Sequence, residues 1–206
     1  MKVCGIIGSP RRNGNVDLLV SEVLRGARSK GARTRKIYLN ALRIKPCQSC
    51  GTDPYPKYCI FEDDMDKIFT EFRSCDVVIV GSPIYFDTVT AQTKLMIDRC
   101  NCLMPYVTRS DGTRGFERRM SKAKKGVFVA VGGKDQKLDP IIATIKGFFN
   151  WSNIELVKRI TYLHSDDELG GVIKNRKKMD EAFTVGASIV DSGKLPRLRK
   201  GRRIRA

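Results

Sequence analysis

The chain has little histidine, few acids and no long apolar runs, and each scarcity removes a class of function. A single histidine, His164, among 206 residues excludes most catalysis that pairs histidine with a nucleophile. It also excludes a multi-histidine metal site within one chain. No apolar stretch approaches the roughly 20 residues that a membrane span requires, so no membrane partner is expected. The N-terminal run Met1–Gly8 has a short apolar core, no small-residue cleavage site and Pro10 close behind. It reads as the first strand of a cytoplasmic protein, not as a secretion signal. Both GxxxxGK[ST] and GxGxxG are missing, which disfavours ATP or GTP hydrolysis and the dinucleotide fingerprint.

The 22 acids face 39 lysines and arginines, a net charge of +17, which raises the question of an anionic partner. The surplus is concentrated in Arg109–Lys125 and in the acid-free tail Lys194–Ala206. A tail of this kind is ordinarily a solvated arm. Nucleic acid is not expected, because charge alone suggests it and no reading motif accompanies it. Seven cysteines, an odd number, in a chain without a secretion signal point to metal binding or buried thiols ahead of a disulfide framework.

Strand and helix signals alternate. Lys2–Ile7, Thr34–Leu39, Asp76–Val80, Gly126–Val131 and, more weakly, Ile154–Ile160 read as strands. Helical spacing marks Leu18–Ala27, with Asn15 as its cap, then Met65–Phe72, Thr90–Asn101, Ile141–Phe149 and Met179–Val190. Asp63 and Asp64 are placed to favour a helix N-terminus. The segment around Asp111-Gly112 reads as a polar, basic loop. The pattern predicts an α/β fold, a doubly wound five-stranded parallel sheet in one domain over 1–193, with the basic tail 194–206 outside it.

Two segments carry chemistry. Gly8-Ser9-Pro10-Arg11-Arg12-Asn13-Gly14-Asn15 joins the first strand to the first helix. There, backbone N–H groups and the helix dipole present themselves to an anion. Ser9, Asn13 and Asn15 add neutral donors, and Arg11 or Arg12 adds charge. Neutral donors suit a phosphomonoester that is held and not transferred; the alternative is an ordinary turn with a capping Asn. Gly81-Ser82-Pro83-Ile84-Tyr85-Phe86 leaves the third strand, beside the first loop at the switch point of such a sheet. Tyr85 and Phe86 offer flat apolar surfaces to a planar ring or to a dimer interface.

With Val89-Thr90-Ala91-Gln92 and the stretch Lys94 to Asp98-Arg99, these motifs resemble the NAD(P)H-dependent FMN reductase and iron–sulfur flavoprotein group of flavodoxin-like proteins, over about residues 1–190. The resemblance implies that Ser9, Arg11, Asn13 and Asn15, with Gly14 and the Val16 N–H, hold the FMN phosphate. The loop Ser82, Pro83, Ile84, Tyr85 and Phe86 would line the isoalloxazine, with Gly132 and Gly133 as a third contact. The position after Asn15 is usually threonine or serine in this group; Val16 offers only its backbone. The implied activity is transfer of electrons from NADH or NADPH to a quinone, a flavin, a small electrophile or a protein. No side-chain acid or base is required for the hydride step, so no catalytic residue is assigned. An electron carrier without its own nicotinamide reaction is the second class. A homodimer or homotetramer is implied as well.

The group also includes members with a compact four-cysteine run that holds an iron–sulfur cluster. Here that run offers Cys47, Cys50 and Cys59, with Asp53 where the remaining cysteine is expected. Three readings stay open: a cluster with an unusual ligand or three irons, a Cys47/Cys50 dithiol, and a loop without metal. Cys4 and Cys75 read as buried thiols. Cys100 and Cys102, two apart at a helix end, are expected to point to different sides and make a poor metal pair. His164 is expected in a solvated polar loop beside Asp166 and Asp167. Phe148, Phe149 and Trp151 are expected to pack in the core or at an interface.

Overall fold

A computed structural model describes residues 1–165 and 168–191. In chain order it contains β1 (Lys2–Ile7), α1 (Asn15–Ser29), β2 (Arg33–Tyr38), α2 (Met65–Ser74), β3 (Val77–Pro83) and α3 (Ala91–Arg99). There follow β4 (Tyr106–Thr108), β5 (Arg114–Phe116), β6 (Lys124–Gly133), α4 (Asp139–Trp151), β7 (Ile154–His164) and α5 (Arg176–Asp191). Five parallel strands form one sheet in the order β2-β1-β3-β6-β7, the flavodoxin-like arrangement, whose ligand crevice lies between β1 and β3.

Burial explains the order. β3 is buried along nearly its whole length and pairs on both sides, as its uninterrupted Val-Val-Ile-Val run requires. β2 carries exposed Arg33, Arg35 and Lys36, charges that suit a sheet edge and discourage further pairing there. Alternation along β1 divides the core. Val3 and Ile7 face α1 and α5, while Cys4 and Ile6 face the side packed by α2, α3 and α4. The α1–α5 contact depends on glycine. A methyl at Gly26 would stand 2.0 Å from the Phe183 carbonyl oxygen, and one at Gly186 would stand 1.9 Å from that of Val23.

The five strands are the expected ones, but three run further than the sequence suggests. β3 continues to Pro83, β6 spans Lys124–Gly133 and β7 reaches His164. In the sequence reading Gly81 ended the third strand and Gly132 and Gly133 closed the fourth, while the fifth stopped at Ile160. In the sheet the ladder continues through Pro83↔Val131, Gly132↔Leu163 and Gly133↔His164. His164 therefore ends a strand and does not lie in a loop. Asn15 is not the cap of α1: Gly14 holds that position, and the Asn15 side-chain oxygen accepts the Val172 N–H at 2.9 Å.

The expected loop around Asp111-Gly112 is a short antiparallel hairpin of β4 and β5, too short and too basic to leave an apolar period. Much of the nearby positive charge is used inside the fold. Arg118 donates to the Trp151 carbonyl at the end of α4 (3.0 Å), and Lys122 pairs with Asp76 at 2.6 Å. Lys124 and Lys125 are buried and donate to the carbonyls of Lys122 and Ile189. Among the described residues no helix is long and apolar enough to cross a membrane. The tail Lys194–Ala206 and the domain boundary at 193 lie outside the described residues.

Candidate functional site

At the carboxyl ends of the strands a cleft of about 460 Å³ is lined by Ser9, Arg11, Gly14, Asn15 and Val16 from the first loop, and by Pro83, Ile84 and Tyr85 from the end of β3. Gly132 and Gly133 form another wall, with Gln136, His164 and the Glu168–Gly170 segment. The sheet thus brings together ten of the thirteen cofactor residues expected from the sequence.

The first loop is held from below. The Gly8 N–H donates to the Gly81 carbonyl at 2.7 Å, and the Thr90 hydroxyl donates to the Gly8 carbonyl at 2.8 Å. Thr90 also caps α3, accepting the Thr93 N–H. Asn13 adopts a left-handed φ of 58° and donates its N–H to the Asp17 carboxylate at 2.8 Å. Asp17 is buried under the loop, where Lys36 and Tyr38 each donate to it at 2.9 Å. Burial pushes the Asp17 carboxyl up, but Lys36, the Asn13 N–H and Tyr38 together hold it below the usual carboxylate range. Its negative charge is therefore compensated before an anion arrives. Arg12 lies over the Tyr38 ring, 4.4 Å from its centroid, and does not line the cleft, whereas Arg11 does.

The second loop is a tight turn. Tyr85 and Thr88 exchange backbone hydrogen bonds of 2.9 and 3.0 Å, with Phe86 and Asp87 both at positive φ between them. The turn puts Phe86 wholly in solvent and leaves Tyr85 about half exposed beside the cleft. Ser82 lies beneath, fully buried, donating to the Pro83 carbonyl and accepting the Thr90 N–H. Asn13, Ser82 and Phe86 are therefore adjacent to the lining and not part of it.

Gln136 was not anticipated. Its side chain donates to the Ile84 carbonyl at 2.8 Å and accepts the Gly133 N–H at 2.7 Å, tying two walls of the cleft together. The one sequence signal was its place three residues beyond Gly133. His164 was expected in solvent; instead it lines the cleft and stacks on Tyr162 at 5.6 Å.

A second cavity of about 340 Å³ lies under the cysteine loop. Cys47, Cys50 and Cys59 line it, and so does Cys102, which sits in a single 3-10 turn after α3. Cys100 is buried in the core instead, so the two cysteines do point apart as expected, and one of them reaches the cysteine loop. Burial pushes the Cys102 thiol up to about 12, with Cys59 and Cys47 opposite it adding to the effect. Two arginines fix the loop. Arg99, 1% exposed, pairs with Asp63 at 2.5 Å and donates to the Lys45 carbonyl at 2.9 Å. Asp63 also accepts the N–H groups of Lys45 and Met65; burial raises its pKa, but Arg99 and these two donors bring it below the usual range. Arg119 donates to the Lys57 carbonyl at 2.7 Å and pairs with Asp53 at 2.9 Å. Phe148 and Phe149 lie in the core as expected, while Trp151 also lines this cavity.

Comparison with known proteins places this geometry. The family of NADPH-dependent FMN reductases matches residues 1–165. The chain belongs to that family. It is thus an FMN-dependent oxidoreductase that uses NAD(P)H as reductant. An iron–sulfur flavoprotein of Methanosarcina thermophila is 28% identical over 193 residues, 92% of this chain and 90% of that one. A second, from Methanocaldococcus jannaschii, is 37% identical over 150 residues, 72% of each chain. A solved flavone reductase superposes with a TM-score of 0.69 at 22% identity, covering 93% of this chain and 62% of that longer one, a likeness of fold.

The cleft fits the family's flavin. Its volume lies in the range of cofactor pockets, the first-turn N–H groups of α1 have no intrahelical partner, and the Asn15 amide group keeps its NH2 end for a ligand. A methyl at Gly132 would stand 2.2 Å from Gln136 Oε1, so this wall stays low only with glycine. The run Cys47, Cys50, Asp53 and Cys59, by contrast, does not fit a cluster as a set. Asp53 is bound to Arg119 and lies outside the lining of the cysteine cavity.

Proposed function

We propose that the cleft holds FMN with its phosphate on Ser9, Arg11 and Asn15 and on the N–H groups of Gly14 and Val16, as in the family resemblance. Asn13 contributes by shaping this loop. Pro83, Ile84 and Tyr85 on one side and Gly132 and Gly133 on the other would flank the isoalloxazine. Bound FMN supplies the chemistry of accepting hydride and passing electrons on. The chain's own residues bind, orient and insulate. Arg11 and the α1 dipole offset the phosphate charge, Gln136 fixes the separation of the two ring-contacting walls, and Ile84 and Val131 exclude water.

The observation that carries this reading is the convergence of an uncommitted helix N-terminus and two planar-ring walls on one cleft. The acceptor we favour is a small planar molecule such as a quinone or a flavin, because Tyr85 is half exposed at the rim. The wholly exposed Phe86 favours a second copy of the chain beside the site, in a dimer or tetramer of a cytoplasmic protein. The cysteine cavity favours, as a second reading, a carrier that delivers electrons to a protein. Anaerobic titration of the FMN-loaded protein with NADPH tests the first reading: flavin absorbance should bleach within the dead time of manual mixing and return on adding a quinone. A flavin that only dithionite reduces would favour the carrier.

A further inference from the structure

The cysteine cavity has the size and walls of a small-molecule pocket. Its volume of about 340 Å³ lies within the range of such pockets, and it shares no lining residue with the strand-end cleft. Aromatic rings dominate its walls. Trp151 meets Phe116 edge-on at 5.1 Å, and Phe116 meets Tyr106 edge-on at 5.2 Å. Tyr58 and Phe61 belong to the lining too. Tyr106 and Phe116 are exposed, so part of this aromatic surface is uncovered. Four thiols share the lining; sulfur is polarisable and packs favourably at ring edges.

A second observation points to an anionic ligand. Arg99 lines the cavity and is 1% exposed. Its two terminal nitrogens are committed to Asp63 and the Lys45 carbonyl, but its Nε has no hydrogen-bond partner among the described residues. The Cys59 thiol interacts with the guanidinium, and a thiol is a weak acceptor. An N–H left unsatisfied at that depth is costly. Nearby charge has the same sign. Lys45 lies over the Phe61 ring at 5.3 Å and Arg119 over that of Tyr58 at 4.9 Å, while no carboxylate lines the cavity. Asp63 and Asp53 offset Arg99 and Arg119, which leaves the charge of Lys45 in surplus.

We propose that this cavity binds a small planar aromatic carboxylate, with its ring among Phe61, Phe116 and Trp151 and one carboxylate oxygen accepting the Arg99 Nε–H. The ligand binds as its anion, and no covalent bond forms or breaks. Arg99 is then a binding residue as well as the anchor of the loop. The site is separate from the strand-end cleft, so the proposal does not depend on the flavin's electron donor or acceptor.

Trp151 is the chain's single tryptophan and lies in the lining, so labelling with fluorotryptophan gives one fluorine resonance that reports on the cavity. The labelled, FMN-loaded full chain is titrated with para-chlorobenzoate, with its neutral amide para-chlorobenzamide and with cyclohexanecarboxylate. Para-chlorobenzoate should shift the resonance saturably and leave the flavin bound. It should bind about fivefold or more tighter than the amide, because a charge-assisted hydrogen bond is roughly twice as strong as a neutral one. It should also bind tighter than the saturated acid, which lacks a flat face for the surrounding rings. Arg99→Met/Asp63→Leu removes Nε without stranding a charge in the interior. This variant should bind acid and amide alike, with thermal unfolding reporting on its fold; if it does not fold, the acid and amide comparison in wild type still decides. Equal affinity for the amide or for the saturated acid would overturn the proposal. So would an acid preference that survives in the folded double variant, a resonance that does not shift, or release of FMN by para-chlorobenzoate, which would place the ligand in the other cleft.

Discussion

The strand-end cleft is lined by elements fixed mainly through backbone hydrogen bonds, whereas the cysteine cavity is lined by loop residues fixed through two arginine side chains. In the cleft, Gly8 and Ile84 are held by the backbone bonds Gly8 to Gly81 and Ile84 to Val131, and the Gly133 N–H is held by the Gln136 side chain. At the cysteine cavity, Arg99 and Arg119 hold the loop through Lys45, Asp63, Asp53 and Lys57. A backbone-built site tolerates most side-chain changes and fails where a Cβ intrudes. A site built on buried charge fails when one partner is removed.

The sharpest way to break this contrast is Arg99→Met. It strands Asp63 in the interior with its principal cation gone, and breaking a buried pair in this way costs about 3–5 kcal/mol. Urea unfolding at neutral pH should show a loss in that range, and Arg99→Met/Asp63→Leu should recover most of it. The sign with pH follows from Asp63, whose folded pKa is depressed. Its contribution is complete above the unfolded value of about 3.9 and is lost as pH falls through the folded value. The gap between wild type and Arg99→Met should therefore narrow in acid. A loss under about 1 kcal/mol at neutral pH would mean that the arginine frame is not what holds the loop.

Asp17→Asn applies the same reasoning to the cleft. The buried carboxylate accepts from Lys36, Tyr38, Ser21 and the Asn13 N–H, and hydrogen bonds to a charged group contribute about 1.5–3 kcal/mol. A loss of that size is expected at neutral pH. Because the Asp17 pKa is also depressed, the loss should fade as pH drops through the folded value. A loss as large as that of Arg99→Met would erase the contrast between the two sites.

Gly186→Ala examines the support behind the cleft, since α1 follows the proposed phosphate loop and rests on α5. In an exposed helix this change would gain about 0.5–1 kcal/mol from propensity. Here the new methyl meets the Val23 carbonyl oxygen, and overpacking of this kind costs about 1–3 kcal/mol. Net destabilisation in thermal unfolding is expected; a stabilised variant would mean that the helices part easily.

These contrasts also decide what was legible in the sequence. The cleft could be read because its chemistry sits in two contiguous motifs, and the α/β alternation fixes where strand ends meet. Strand lengths were underread at Gly81 and Gly132, because glycine and proline end a strand by local rules while neighbouring strands in a parallel sheet carry the ladder onward. Asn15 shows the same limit: its spacing suited a cap, but a partner 157 residues away, Val172, took its oxygen. The cysteine cavity was half legible. Its loop cysteines stand close together in sequence, but Cys102 reaches them only through the packing of α3 against that loop, and no spacing rule carries this information. Gln136 and His164 were missed for a similar reason, as polar residues that acquire a role only from what the fold sets beside them.

The smallest expected effect bears on Val16, where the family resemblance leads to the expectation of threonine or serine in the proposed phosphate loop. Val16 lines the cleft, yet it is only 2% exposed, and a methyl placed at Gly81 would stand 2.7 Å from its Cγ1. One branch of the side chain, Cγ1, therefore faces the core across Gly81. Val16→Thr replaces a single methyl by hydroxyl at nearly constant volume. If the hydroxyl takes the other branch and faces the cleft, it adds one hydrogen bond to the FMN phosphate, and affinity should tighten by about 0.5–1.5 kcal/mol, measurable by fluorescence quenching of FMN. If it takes the core-side branch, a hydroxyl is buried against Gly81 and the protein loses about 1–3 kcal/mol of stability with no gain in affinity. The two outcomes separate in one experiment that follows FMN affinity and thermal unfolding together. We expect the first, because the branch over Gly81 lies in the apolar core cluster that Val16 shares with Val20, where a hydroxyl has nothing to gain. Tightened binding would show that a backbone-built site still accepts a side-chain donor; unchanged binding with lost stability would show that the loop's backbone donors already suffice.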